Sequence, residues 1–233
     1  MGNNTTNEEK RLEATRRYLS FELNREKELA DLVMLASSIC NVPIALITLI
    51  DEEVQFVNAK TGADITVMPR KTSFCTHAIE TEAVMEVFDA SKDERFADAP
   101  VVANPPHVRF YASANLKSYD GYNVGTLCVY DVQPKALTDL QKQQLEALAK
   151  QVSHLMELDR TMKQLKSQNE LLREISWIQS HELRLPVSSI LGLVALFKEN
   201  NYVVEKEDFE MLEQVTIQLD EKIRLIVKKS NSR

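Results

Sequence analysis

The stretch best suited to chemistry is Ser-His-Glu-Leu-Arg-Leu-Pro-Val at 180–187. An imidazole nitrogen at His181 can attack a phosphoryl group near neutral pH, because the ordinary histidine pKa leaves much of the ring uncharged. Glu182 follows directly, placed to hold the other ring nitrogen and take up its proton. Pro186 lacks the amide that would bond the carbonyl of Glu182, so a helix through this stretch is expected to kink just beyond the histidine. A lone exposed histidine on a helix is usually only a solvated side chain. The adjacent acid and the proline set this one apart.

The other reactive residue types are scattered. Cys40, Cys75 and Cys128 are odd in number and form no CxxC pair, which excludes a disulfide framework or zinc knuckle as the sequence reading. Cys128 falls in a buried strand pattern and Cys40 at a helix end, so a shared thiol redox site is not expected. Cys75 reads as a small, partly buried thiol on a helix. His107 and His154 belong to no ligand constellation, and no metal is expected. Asp93, Arg95 and Asp98 read as loop-fixing ion pairs that Arg109 joins. The five glycines form neither GxG nor GxxxxGK, so no phosphate-cradling loop is present and no nucleotide cofactor is expected.

Composition narrows the class. The chain has 233 residues, 44% apolar and 27% charged, which suits a folded protein rather than a disordered one. Its formal net charge of −7 argues against a nucleic-acid partner. The longest nearly unbroken apolar run, Val42–Ile50, falls far short of the ~20 residues of a membrane span, and the N-terminus lacks the apolar core of a signal peptide. A cytoplasmic protein with reduced thiols is expected.

The elements that must position these residues follow from periodicity. Leu19, Leu23, Leu29, Leu32, Val33, Leu35 and Ala36 recur at helical spacing between Glu8 and Cys40, until Asn41 and Pro43 end the pattern. Ile44–Ile50 is too apolar to face water on either side and reads as a central strand, followed by a second strand at 54–57. A short helix at 73–80, capped by Thr72 or Ser73, precedes a strand at 83–88 and a proline-bearing connection at 89–107. Strands at 110–116 and 124–132 form a hairpin around Asp120-Gly121. Strands, helices and hairpins in this order predict an α+β domain with an antiparallel sheet flanked by helices.

From Thr138 the pattern turns helical. A heptad places Leu155, Met162, Asn169 and Ser176 at a, with Leu158, Leu165, Leu172 and Gln179 at d. Leucines in successive d positions and one a-position asparagine predict a parallel, in-register two-stranded coiled coil. In this register His181 falls at the exposed f position. Two further helices, from Ser180 to about Lys198 and from about Glu205, each carry one apolar face and turn at Asn200-Asn201. Two such helices cannot bury those faces alone, so a homodimer forming a four-helix bundle is expected.

The 181–186 stretch together with Ile-Leu-Gly-Leu at 190–193 resembles the H-box of sensor histidine kinases, over about residues 173–228. The resemblance implies a HisKA-like dimerisation hairpin, with His181 as phosphoacceptor and Glu182 as the assisting base. A response-regulator receiver would take the phosphoryl group. Kinases of this kind usually carry Thr, Ser or Asn four residues after the histidine, where this chain has Leu185, so phosphatase activity by that route is not expected. Only seven residues follow Ile226. The family's ATP-binding domain is therefore expected either beyond Arg233 or on another protein acting in trans, and self-contained kinase activity is not.

Ser73–His77, Asp93–Asp98, Arg109–Ala112 and Gly125–Val129 together resemble a bacterial GAF domain over about residues 20–158. That implies a sensory module with a pocket for an unidentified small molecule. Phytochrome-like GAF domains place a histidine beside the chromophore cysteine, whereas Thr76 separates Cys75 from His77, so covalent tetrapyrrole attachment is not expected. A GAF-type thiol reductase is the enzymatic alternative, which the dispersed cysteines disfavour. The expected organisation is an N-terminal extension (1–19), a GAF-like sensory domain (20–153), a coiled-coil signalling helix (154–174) and a phosphoacceptor hairpin (175–233). A dimeric ligand-binding or scaffolding regulator of a kinase or response regulator is the non-catalytic alternative.

Overall fold

The computed structural model describes residues 2–19 and 25–231; Leu23 lies outside them, as do the side chains of Gln179 and Ser180. It divides into two units, residues 1–162 and 163–233.

In the first unit, six strands form one antiparallel sheet: β1 (Ile44–Ile50), β2 (Val54–Thr61), β3 (Val67–Pro69), β4 (Met85–Val87), β5 (Phe110–Lys117) and β6 (Asn123–Asp131), in the order β3-β2-β1-β6-β5-β4. β1 and β6 lie at the centre, as their uninterrupted apolar character requires. Their alternating side chains feed two separate cores. Ala45, Ile47, Leu49, Leu127 and Val129 face one side, where α1 (Gly2–Leu19), α2 (Glu26–Cys40) and the first half of α5 (Asp139–Trp177) pack. Leu46, Ile50, Cys128 and Tyr130 face the other, under α3 (Phe74–Ala78) and the connection bearing α4 (Pro100–Ala103). Gly125 allows β6 to lie against β1, since a Cβ there would fall 1.9 Å from the Thr48 carbonyl oxygen.

Local chemistry sets the boundaries. Asn41 ends α2 in the left-handed conformation (φ 52°), its amide donating to the Ser37 and Ser38 carbonyls, and Pro43 prevents continuation. Ser73 Oγ accepts from the Cys75 amide and starts α3, which stops at Ala78 rather than at 80. Between the flanking strands Gly121 takes φ 89°, the positive angle the Asp-Gly turn requires. The strand expected at 83–88 contracts to β4, and the single helical pattern of 8–40 is two helices, α1 and α2.

Helix α1 is tied to the sheet. Arg11 is 6% exposed and donates to the Ile50 carbonyl at 2.8 Å, while Ala14, Thr15 and Tyr18 are buried. The Glu8 carboxylate receives hydrogen bonds from Arg11 (2.7 and 2.8 Å) and Arg70 (2.7 Å). Helix α5 packs through Leu145, Ala149, Val152 and Met156, a stripe with steps of four, three and four.

In the second unit, α6 (Arg184–Glu199) and α7 (Lys206–Asn231) form a hairpin. Asn201 and Tyr202 carry positive φ at the turn, and the Tyr202 amide donates to Phe197 at 2.7 Å. No helix among the described residues is long and apolar enough to cross a membrane.

Candidate functional site

A cavity of about 430 Å³ opens on the α3 and α4 side of the sheet. Ile44, Leu46 and Tyr130 form its floor on β1 and β6, and Phe74 closes one wall from α3. Ile65, Val67 and Met68 enter from β3 and the segment before it, while Pro100, Val101 and Val108 enter from α4 and the chain after it. Short helices, turns and prolines cover this sheet face, and the side chains they contribute to the lining are mostly apolar. No charged side chain lines it among the described residues; its polar groups are Thr72, Ser73 and the Tyr130 phenol. Such a volume and lining suit an uncharged, largely apolar small molecule rather than a phosphate-bearing one.

Behind the floor lies a buried polar cluster. Ser73 Oγ donates to the Gln55 side-chain carbonyl, and Gln55 Nε2 donates to Cys75 Sγ at 3.3 Å. The Tyr111 hydroxyl also donates to Cys75 Sγ at 3.3 Å, and the Tyr130 hydroxyl lies 3.7 Å from the same sulfur. Phe74 stacks between Phe96 (centroids 4.3 Å) and Tyr111 (4.8 Å), which fixes α3 on the sheet. Burial, and then the neighbouring sulfurs, push both phenols well above the ordinary tyrosine value, so they remain protonated donors. The expectation of dispersed thiols is thereby corrected: Cys75 and Cys128 meet at 3.8 Å, brought together because α3 packs over β6. Cys40 stays apart on the opposite sheet face. Their sequence separation gave no signal of that meeting; only the apolar surroundings of each were readable. Cys75 is also fully rather than partly buried.

The loop residues behave differently from one another. Asp93 and Arg95 pair at 2.7 Å, as expected. Arg109 does not join them; it donates to the carbonyls of Val102 (3.1 Å) and Val108 (3.0 Å), bracing α4 instead. Asp98 is exposed. His77 stacks edge-on against Phe96, and His107 and His154 are exposed. No group of three or more His, Cys, Asp or Glu side chains forms a metal site among the described residues.

In the second unit, α5 gives way to one π turn, Ile178–Glu182, closed by the Leu183 amide on the Ile178 carbonyl at 3.2 Å. Helix α6 then restarts at Arg184, so Pro186 lies in its first turn, where its missing amide costs little. The predicted irregularity therefore sits at and just before the histidine. His181 is exposed, with the Trp177 ring at 5.6 Å. Glu182 is engaged by Lys222 of α7 at 2.8 Å, and Leu185 is 76% exposed.

The GAF domain model matches residues 24–156. A cyclic di-GMP phosphodiesterase of Pseudomonas aeruginosa is 35% identical over 166 residues, covering 71% of this chain and 28% of that protein. The chain thus spans less than a third of that relative's length. Among solved structures, the free methionine-R-sulfoxide reductase of Neisseria meningitidis superposes with a TM-score of 0.51 at 16% identity, covering 64% of this chain and 87% of that one. The blue-light-absorbing form of the Thermosynechococcus elongatus PixJ GAF domain gives 0.50 at 16% identity, covering 66% and 95%. At this identity both report the fold alone. With the family model matched over more than half its length, this chain, built on a six-stranded antiparallel sheet, belongs to the GAF domain family.

Proposed function

We propose that the chain is a dimeric signalling protein in which a GAF sensor is coupled to a histidine phosphoacceptor. The sensor takes up an uncharged small molecule in the apolar cavity. Helix α5 carries the change to the π turn, and His181 accepts a phosphoryl group from an ATP-binding domain and passes it to a response-regulator receiver. The observation that supports this reading is the exposed imidazole of His181 in a helix irregularity upstream of Pro186. Glu182 would act as the base once released from Lys222, which holds its carboxylate in the described state. Leu185 offers no hydrogen bond to a water, so dephosphorylation of a receiver by that route is not part of the proposal.

Incubation with a sensor-kinase ATP-binding domain and labelled ATP tests it. Acid-labile label is expected on the wild-type chain and none on His181→Ala; equal labelling of both would overturn the assignment. The similarity to the Pseudomonas phosphodiesterase favours a second reading, in which this GAF domain regulates cyclic di-GMP turnover. Under that reading the cellular cyclic di-GMP level responds to cavity-filling substitutions such as Ala63→Trp and is indifferent to His181→Ala.

A further inference from the structure

Two thiols touch behind the cavity wall. Cys75 Sγ and Cys128 Sγ are 3.8 Å apart, and neither residue has exposed surface. A disulfide needs about 2.05 Å between sulfurs, so these two must close by less than about 2 Å. Cys128 is fixed in the middle of the central strand β6, but Cys75 rides on α3, a helix of five residues. The movement needed is under about 2 Å, on the Cys75 side of the pair, because Cys128 belongs to the sheet.

The two thiols are chemically unequal. Gln55 Nε2 and the Tyr111 hydroxyl both donate to Cys75 Sγ, whereas Cys128 Sγ turns toward the Leu46 carbonyl at 3.5 Å. Burial opposes a charge on Cys75, but hydrogen bonding with Cys128, Thr126, Tyr111 and Tyr130 outweighs it and holds that thiol well below the usual range. Burial, and then Cys75 itself, push the Cys128 thiol up. This is the asymmetry of an attacking and a resolving thiol. Access is short: Ser73 and Tyr130 line the cavity, and each is in direct contact with Cys75.

We propose that Cys75 and Cys128 form an oxidisable pair that a small hydroperoxide converts into a disulfide within the GAF domain. The Cys75 thiolate attacks one peroxide oxygen and the O–O bond breaks. The departing hydroxide takes a proton and leaves as water, and Cys75 becomes a sulfenic acid. The Cys128 thiol then gives up its proton and attacks the Cys75 sulfur; the S–O bond breaks and a second water leaves. Two thiols lose two electrons and two protons, and one hydrogen peroxide becomes two waters.

The test exposes the full chain to hydrogen peroxide, alkylates the remaining thiols and maps peptides without reduction. Expected are a cross-linked peptide joining Cys75 to Cys128 and a free Cys40, whose thiol burial pushes up to about 11. The Cys40→Ser chain should cross-link equally, and Cys128→Ser should accumulate a dimedone adduct on Cys75. The proposal is overturned if all three thiols stay free while a cysteine peptide in the same mixture oxidises, or if Cys40 enters the cross-link. Mapping the wild-type chain decides this even where a variant fails to fold.

Discussion

Glu8 sits between two guanidinium groups, and that position sets how α1 responds to acid. Burial raises its pKa, but hydrogen bonds from Arg11 and Arg70 outweigh burial and lower it below the usual glutamate value. The folded carboxyl is therefore more acidic than the unfolded one. Between the two values the unfolded chain binds more protons, so this contribution is complete above the unfolded pKa and is lost as pH falls through the folded one. Replacing Glu8 by Gln is expected to cost about 1 kcal/mol near pH 7, discounted because the side chain is more than a third open to solvent. The difference from wild type should shrink as the pH is taken from 7 down through the folded carboxyl's lowered pKa. Urea unfolding across that range measures it, and a gap independent of pH would show that the carboxylate charge is not involved. At this scale the sequence was legible where neighbours are local: the exposed His181, the Ser73 cap and the Asp93–Arg95 pair. The Glu8–Arg70 bridge and the Cys75–Cys128 contact join residues brought together only by the sheet, and side-chain periodicity carries no trace of them.

At the scale of the element, we attribute the π turn of 178–182 to Pro186. A continuous helix would need the amide of residue 186 to bond the Glu182 carbonyl; the chain instead makes one wide turn and starts α6 afresh at Arg184. Pro186→Ala supplies the amide and should let the helix run through 178–190. Slower hydrogen exchange at the amides of residues 179–186 would report this, and unchanged exchange would place the cause of the π turn elsewhere. If the irregularity presents the imidazole, the same variant should also accept label at His181 several-fold more slowly. The elements themselves were readable to differing degrees. β1 and β6 declared themselves because burial on both faces leaves no polar alternation. β3 escaped notice because Val67–Pro69 is three residues long and ends in proline, so only pairing with β2 makes it a strand. Periodicity alone also ran α1 and α2 together, although Arg25 before α2 takes the non-helical angles φ −129° and ψ 36°.

For the whole molecule, the question is what covers α5 beyond the GAF sheet. Leu158, Met162, Leu165 and Leu172, four of the a and d residues of the heptad, are 48–62% exposed in the single chain. Leu191 and Phe209 of the hairpin are 63% and 62% exposed. Water is a poor neighbour for a stripe this regular, and a second copy in parallel register would bury it while setting Asn169 against its twin. Each buried leucine contributes about 2 kcal/mol. Replacing Leu158, Leu165 and Leu172 together with Lys would remove on the order of 10 kcal/mol from a two-chain seam, more than the ~8 kcal/mol that holds a micromolar dimer. Light scattering is expected to show the wild-type chain as a dimer and the triple variant as a monomer. The sheet should stay folded in the variant, because its cores draw on α5 only up to Met156. A wild-type chain that scatters as a monomer at micromolar concentration would remove the seam, and with it the coupling of the cavity to His181 through a paired α5. An unaltered dimer in the variant would instead assign association to the α6–α7 faces alone.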